Sequence, residues 1–231
     1  MNPKIIKTNR GGGKSLKGFT LAEVLVVIFL IGVIAGETIP VLLTTYQEKE
    51  LLIRWKKQYS IASQAVISLQ NQNGDIYHSN HFAIRNQFCS IMNCMKNGET
   101  QTLLTAQQRQ YNLYKSSNSY TALALYELTA IMSDGSLWVF LQDFDSGACH
   151  FPGVGISDAC GTIIIDVNGA KKPNMSGKDL FYIYLRKSQT NGLFYITPYG
   201  TLNDGWSCAA ETHGKGCSAN ALLAKTPAEM P

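Results

Sequence analysis

The first hydrophobic segment of the chain has no polar face. Residues 24–36 are uncharged and apolar, and the apolar character extends over residues 19–43, with Glu23 and Glu37 as its only acidic residues. About 20 consecutive apolar residues suffice for a membrane-spanning helix, and a somewhat longer segment spans with some tilt. The pattern therefore predicts a helix over residues 19–43 that lies in lipid or in the core of a fibre.

The helical pattern continues over residues 44–70, but here it is amphipathic. Apolar residues recur at alternating steps of three and four, the spacing of one buried stripe. That stripe consists of Leu52, Trp55, Tyr59, Ala62, Val66 and Leu69. Pro40 lies near the end of the apolar part; it has no N–H and disfavours a helical residue before it, so we expect a kink or a short melted stretch there.

The rest of the chain, residues 71–231, predicts a globular head with an α part followed by a β part. Residues 82–92 and 102–114 have helical patterns, and β-type patterns begin near Thr129. The predicted strands are residues 130–132, 136–141, 162–167, 180–185 and 193–197. Short strands with tight connections predict an antiparallel meander, which needs a covered face to be stable. The predicted fold is α+β, with the amphipathic half of the long helix packed on the meander.

Charge divides the N-terminal leader from the remainder. Residues 1–18 contain five of the 20 basic residues and no acid, which leaves 15 basic against 16 acidic groups beyond Gly18. A nearly neutral chain lacks the basic footprint typical of nucleic-acid-binding proteins. Nucleic acid is therefore not an expected partner.

The junction between the leader and the apolar segment differs from that of a secretory signal, whose apolar region precedes the cleavage site and is discarded. Cleavage between Gly18 and Phe19 would instead leave the apolar segment on the mature chain. Glu23 then lies just inside that segment, where an ionised carboxylate is costly without a partner. A free amine on Phe19 of a neighbouring copy would be one such partner.

At these residues the chain resembles the type IV prepilin family, which includes the pseudopilins of type II secretion systems. The family's pattern of glycine, Phe or Met, Thr-Leu, an aliphatic residue and Glu is matched by residues 18–23, and Pro40 falls where many members have a helix-distorting proline. Ala22 is smaller than usual, and the leader is longer than the commonest ones. The resemblance implies a pilin-like fold, cleavage after Gly18, N-methylation of Phe19 and a role for Glu23 in assembly.

The same resemblance implies partners and a location. They are a prepilin peptidase and methyltransferase, other pilin or pseudopilin subunits, an assembly platform with its ATPase, and membrane lipid before assembly. The subunit would cross the bacterial inner membrane once, with its head outside the cytoplasm, and then enter a type II secretion pseudopilus or a type IV pilus.

Three other interpretations remain open. An uncleaved signal anchor would use the leader lysines only to set orientation, but it gives no reason for Glu23 beside Phe19. A minor subunit at a filament tip would bind a surface, DNA or a secreted substrate with its head. A membrane-anchored exported enzyme is the third, although the sequence has no G-x-S-x-G elbow, H-E-x-x-H motif or P-loop, and we assign no catalytic residue.

All six cysteines lie beyond residue 88, on the side of the membrane where disulfides form. Six cysteines allow fifteen pairings. Our hypothesis is three bridges that are local in sequence, and the alternative is zinc with His150 or His213 as further ligands. The candidate pairs are Cys89/Cys94, Cys149/Cys160 and Cys208/Cys217.

The one further candidate site is a calcium loop. Asp166, Asn168 and Asp179 offer oxygen ligands around a loop that contains Gly and Pro, and Ca²⁺ prefers hard oxygen donors. Asp and Asn that form turns by accepting backbone N–H groups are the alternative explanation. Apart from calcium, no cofactor is expected.

Overall fold

The computed structural model describes residues 18–76, 80–141, 149, 156, 158–201 and 205–229. Most of the leader and Tyr77–Ser79 lie outside the described residues, as does His150. The helices are α1 (Leu21–Asn73), α2 (His81–Ile91), α3 (Thr100–Leu103) and α4 (Cys217–Leu223). The strands are β1 (Cys94–Glu99), β2 (Gln110–Asn112), β3 (Ser119–Thr121), β4 (Leu128–Met132), β5 (Leu137–Phe140), β6 (Ala159–Asp166), β7 (Leu180–Lys187) and β8 (Phe194–Pro198).

The chain divides into two units after Thr44. Within the first unit, α1 exposes its apolar side chains on every side, as the absence of a polar face predicts. Helix α1 continues through Pro40, so the melted stretch that we considered there is absent; the kink stays a prediction.

The second unit is built on a six-stranded antiparallel sheet with the strand order β1-β4-β5-β6-β7-β8. Strands β4 to β8 follow one another in sequence and in space, which is the predicted meander. The turn at Gly135 joins β4 to β5 with a positive φ of 85°, a conformation that glycine adopts without steric cost. The predicted α+β fold is confirmed.

The amphipathic part of α1 covers one face of this sheet. Trp55 is fully buried, its ring stacks on Phe181 of β7 with centroids 4.4 Å apart, and its Nε1 donates to the Ser218 carbonyl at 3.1 Å. Of the predicted stripe, Tyr59 is half-buried and the other five residues are buried. A stripe at helical spacing thus forms the centre of the core that sits between α1 and the sheet.

A second, more polar core lies on other strand positions of the same sheet. It contains several tyrosines among its aliphatic residues, and their hydroxyl groups form hydrogen bonds: Tyr120 with Tyr182 at 3.2 Å, and Tyr199 with Thr162 at 2.6 Å. The Trp206 indole donates to the Tyr184 hydroxyl at 2.9 Å. The named hydroxyl groups of this core therefore have hydrogen-bond partners, as is usual for buried polar groups.

The edge strand β8 is protected by side chains of α1. The Gln70 amide donates to the Phe194 carbonyl at 2.9 Å and accepts from the Phe194 N–H at 2.7 Å. The Tyr59 hydroxyl donates to the Ile196 carbonyl at 3.1 Å. Unpaired edge groups invite another strand, and these side chains occupy several of them.

Two predictions for the region between α1 and the meander need correction. The predicted helix over residues 102–114 is wrong: the segment contains the end of α3, a 3₁₀ turn at Gln107–Arg109 and strand β2. Here tertiary contacts outweigh local pattern, because Tyr111 of β2 is buried against the main sheet. Strand β1 was not predicted, since its sequence, CMKNGE, has neither alternation nor β-branched residues.

Candidate functional site

The N-terminal site is built on the first turn of α1. Gly18, Phe19 and Thr20 precede the helix, and the Phe19 side chain is 86% exposed. A Cβ on Gly18 would meet nothing within 4 Å. The Gly18–Phe19 bond therefore lies in exposed, non-helical chain, as a processing site requires.

Thr20 and Glu23 form a capping box at the start of the helix. The Thr20 N–H and hydroxyl donate to Glu23 Oε2 at 2.7 and 2.9 Å, and the Glu23 N–H lies 3.3 Å from Thr20 Oγ1. Both side chains thereby satisfy backbone donors that the first helical turn leaves unpaired. The Thr-x-x-Glu spacing is visible in the sequence and is the signal from which the role of Thr20, which we did not predict, could have been found.

This arrangement gives Glu23 a partner within its own chain. Both bonds that the carboxylate accepts from Thr20 use Oε2, and the described part of the chain provides no donor for Oε1. Glu23 can therefore keep its capping interaction and still accept a hydrogen bond from an amine on another molecule.

The part of α1 that follows this capping box exposes apolar side chains along its length. Large hydrophobic side chains between Phe19 and Tyr46 are between 46% and 86% exposed. Helix α1 is long and apolar enough over this part to cross a membrane. Monomeric soluble proteins rarely expose apolar patches of this extent, so the surface marks a site of contact with lipid or with other proteins.

The six cysteines form three disulfides: Cys89–Cys94, Cys149–Cys160 and Cys208–Cys217. The prediction of disulfides is thereby confirmed, and each pair is local in sequence. Among the described residues there is no free cysteine and no group of three His, Cys, Asp or Glu side chains that could hold a metal. His213 lies edge-on against the Tyr120 ring, and His150 lies outside the described residues.

The structure brings the three candidate calcium ligands together. Asp166 accepts from the Tyr111 hydroxyl at 2.5 Å and from the Asn168 N–H at 3.1 Å. Asp179 accepts from the N–H groups of Asn174 and Met175, each at 2.7 Å. The amide oxygens of Asn168 and Asn174 are buried and have no hydrogen-bond partner among the described residues.

Both carboxyl groups are buried, and burial disfavours their charged forms. Burial raises the pKa of Asp179 to about 7. Burial, and then the nearby charge of Asp179, raise the pKa of Asp166 well above its usual range. Two buried carboxyls, on a loop whose Asn168 and Asn174 have buried and unpaired amide oxygens, are donors of the type that a hard cation prefers, although both carboxyls also have protein donors.

Comparison with known proteins bears on the N-terminal site. Residues 14–36 match the family described as the prokaryotic N-terminal methylation motif. No curated protein and no solved structure matches the chain. The match covers the Gly18–Phe19 junction, the capping box and most of the exposed apolar turns, and a long apolar helix followed by an antiparallel sheet is a pilin-like arrangement. The chain carries the prepilin-type cleavage and methylation signal that is shared by type IV pilins and pseudopilins.

Proposed function

We propose that this protein is a filament subunit of the pilin or pseudopilin type. A prepilin peptidase cuts between Gly18 and Phe19, and a methyltransferase modifies the new Phe19 amine. The observation that carries the proposal is the combination of this motif with an α1 surface that has apolar side chains exposed on all sides. The role is structural, and we assign no catalytic residue.

Before assembly, the apolar half of α1 is held in the bacterial inner membrane and the head lies outside the cytoplasm. An assembly platform driven by its ATPase then moves the subunit into a pseudopilus or pilus. The helix exchanges lipid for the apolar flanks of neighbouring subunits. A contact between unlike surfaces that does not close into a ring produces a filament.

Glu23 supplies the polar element of this assembly. In the filament its Oε1 accepts a hydrogen bond from the Phe19 amine of an adjacent subunit, while Oε2 keeps the Thr20 cap. An ionic pair in an apolar surrounding is strongly favoured over an unpaired charge. It therefore fixes the register between subunits, which a purely apolar helix does not.

Glu23→Leu tests this role. We expect the variant to insert into the membrane normally and to be impaired in filament assembly. The matched control is Glu37→Leu, the same substitution in the same apolar half, which we expect to assemble. Membrane fractionation and the yield of sheared or cross-linked filaments measure the two steps. Normal incorporation of Glu23→Leu would contradict the role of Glu23.

We propose further that the head binds Ca²⁺ through Asp166, Asn168 and Asp179. The two unpaired amide oxygens and the mutual repulsion of the carboxyls support this site. Calcium added to the metal-free full-length protein in detergent at pH 8 should raise its unfolding temperature, and Asp179→Asn should abolish the effect. Asp134→Asn, which changes a carboxylate in the β4–β5 turn, is the control and should retain it. The absence of a calcium effect on the unaltered protein would contradict the site.

A further inference from the structure

The second unit contains a cavity of about 370 Å³ that the proposed function does not use. Its lining includes the buried apolar residues Leu52 of α1, Phe181 of β7 and Ala221 of α4, which we call the floor of the cavity. Its charged lining residues are Glu48, Lys115 and Lys178. Cavities of 300–1,000 Å³ with apolar walls and a few polar groups are typical of small-molecule sites.

One wall of the cavity is fixed by a tight junction of loops. Gly177 has a φ of 78°, and a Cβ there would lie 2.9 Å from Cys217 Sγ and 3.0 Å from the Tyr114 ring. Only a glycine therefore allows the Cys208–Cys217 disulfide and Tyr114 to pack this closely. The Ser176 hydroxyl donates to the His213 carbonyl in the same junction.

Lys115 is held at the cavity by an unusual backbone conformation. Its φ is 52°, which is uncommon for a residue with a side chain. The flanking Tyr114 is fixed on both sides, since its N–H donates to the Thr212 carbonyl at 2.9 Å and its carbonyl accepts from the Glu211 N–H at 2.7 Å. Such strain persists where the surroundings over-determine it and is concentrated at ligand-binding sites.

The charges at the cavity favour an anion. Lys178 pairs with Glu48 at 2.7 Å. Lys115 lies over the Tyr114 ring, with its Nζ 5.3 Å from the ring centroid, and has no ion pair among the described residues. The charged lining residues thus carry one net positive charge above an apolar floor. This combination suits a molecule with an anionic head and a hydrocarbon tail.

Chain connectivity identifies the source of such a molecule. Glu48 follows Thr44, the last residue of the first unit, by four positions. Four residues span at most about 14 Å, so one edge of the cavity lies near the end of the apolar segment in any arrangement of the two units. If that segment is in a membrane, as the proposed function requires, phospholipid headgroups are within reach.

We propose that this cavity binds one anionic phospholipid of the surrounding membrane. Lys115 and Lys178 bind its phosphate, and an acyl chain lies on the floor formed by Leu52, Phe181 and Ala221. Glu48 is the one carboxylate among the lining residues that the structure describes. Its negative charge opposes the binding of an anionic headgroup. The bound lipid would hold the head at the membrane surface until the subunit enters the filament.

The test uses the protein purified from its native membrane and reconstituted in nanodiscs that contain phosphatidylglycerol and phosphatidylcholine in equal amounts. After transfer to detergent, native mass spectrometry measures the ratio of the two lipids retained per subunit. We expect phosphatidylglycerol to predominate. A lysine near a membrane surface contributes about 1 kcal/mol to binding of anionic lipid, so Lys115→Gln should lower the ratio about fivefold and the double variant with Lys178→Gln about 25-fold.

Two further variants sharpen the test. Glu48→Gln should raise the retention of phosphatidylglycerol, which a merely structural effect of mutation would not do. Lys96→Gln, which changes an exposed lysine of β1 outside the cavity, should leave it unchanged. Equal retention of both lipids, or an equal loss in Lys96→Gln, would overturn the proposal. Displacement of the lipid by excess inorganic phosphate would assign the site to free phosphate, and a second copy of the chain retained in its place would assign it to a subunit contact.

The same spectra give the mass of the chain. A chain that is not cut after Gly18 would contradict the proposed function, whereas the lipid ratio and its dependence on Lys115 would still test the cavity. The two proposals can therefore fail separately.

Discussion

The two parts of helix α1 have the same backbone structure but opposite relations to their surroundings. Up to Thr44, apolar side chains are exposed on all sides. Beyond Thr45, the helix buries Leu52, Trp55 and Leu69 against its own sheet and exposes polar residues such as Lys57 on the other face. The backbone of α1 is thus helical both where its side chains are exposed and where they are buried.

This difference shows which contacts the chain provides for itself. The amphipathic part finds its partner in the same unit, since the sheet removes its apolar stripe from water. The apolar part has no periodicity, so no single partner face could cover it; lipid or several neighbouring helices could. The two parts should therefore respond differently to substitution.

Replacement of an apolar residue should show the largest difference in stability between the two parts of α1. Trp55→Ala removes a fully buried side chain that stacks on Phe181 and should lower the free energy of unfolding of the head by about 3–5 kcal/mol. Ile31→Ala changes an apolar residue that is 60% exposed and should leave it unchanged. Urea unfolding of the full-length protein in detergent measures both. Equal destabilisation by the two substitutions would contradict the comparison.

The carboxyl groups of the head also contrast with the exposed carboxylates of the apolar part. Because the pKa of Asp179 in the folded head is raised to about 7, its contribution to stability is complete below the unfolded pKa of about 4 and is lost as the pH rises to 7. In EDTA, the stability of the unaltered protein relative to Asp179→Asn should therefore fall by about 2–4 kcal/mol between pH 4 and pH 7. A difference that is constant with pH would show that Asp179 titrates normally.

The amphipathic half of α1 also stabilises the sheet through polar contacts. Gln70→Leu keeps much of the side-chain volume but removes both hydrogen bonds to Phe194 of β8. A buried polar group left without its partner costs about 1–3 kcal/mol, and we expect a loss of that size in the urea experiment. Gln64→Leu is the control, since Gln64 is exposed and its side chain bonds, among the described residues, only to Ser60 of the same helix. A similar loss in the control would assign the effect to helix propensity.

The smallest effect is expected on the exposed face of the same helix. Arg54 and Glu50 form an i,i+4 ion pair at 2.7 Å with both side chains about 40% exposed. Such pairs contribute about 0.3–0.5 kcal/mol, so Glu50→Ala should change the unfolding midpoint only slightly, and less in high salt. A loss comparable to that of Gln70→Leu would mean that this face also has a partner.

Sequence periodicity predicted those elements in which the pattern of apolar and polar side chains itself indicates which face is buried. The stripe from Leu52 to Leu69 and the strands of the meander have strong helical or β-type patterns, and the structure places them as predicted. Strand β1 is different, because CMKNGE becomes a strand only through pairing with β4. The segment at residues 102–114 is decided likewise by the burial of Tyr111, which local pattern does not encode.

The candidate sites differ in the same way. The Gly18–Phe19 junction and Glu23 lie within six consecutive residues, and the capping partner Thr20 lies among them, so one short motif contains the whole site. The hydrogen bond from Tyr111 to Asp166 joins residues that are 55 positions apart, and only the fold brings them together. The loop junction around Gly177 and Lys115 is equally non-local, and the sequence alone gave no indication of that cavity.

The central claim is that the apolar half of α1 becomes the N-terminus of a processed filament subunit. Intact-mass and N-terminal peptide mass spectrometry on the protein from its native membrane tests this most directly. We predict a mature chain that begins at Phe19 and carries one additional methyl group. A chain that still begins at Met1, or that is cut at another position, would contradict the claim, because Glu23 would then have no Phe19 amine to bind.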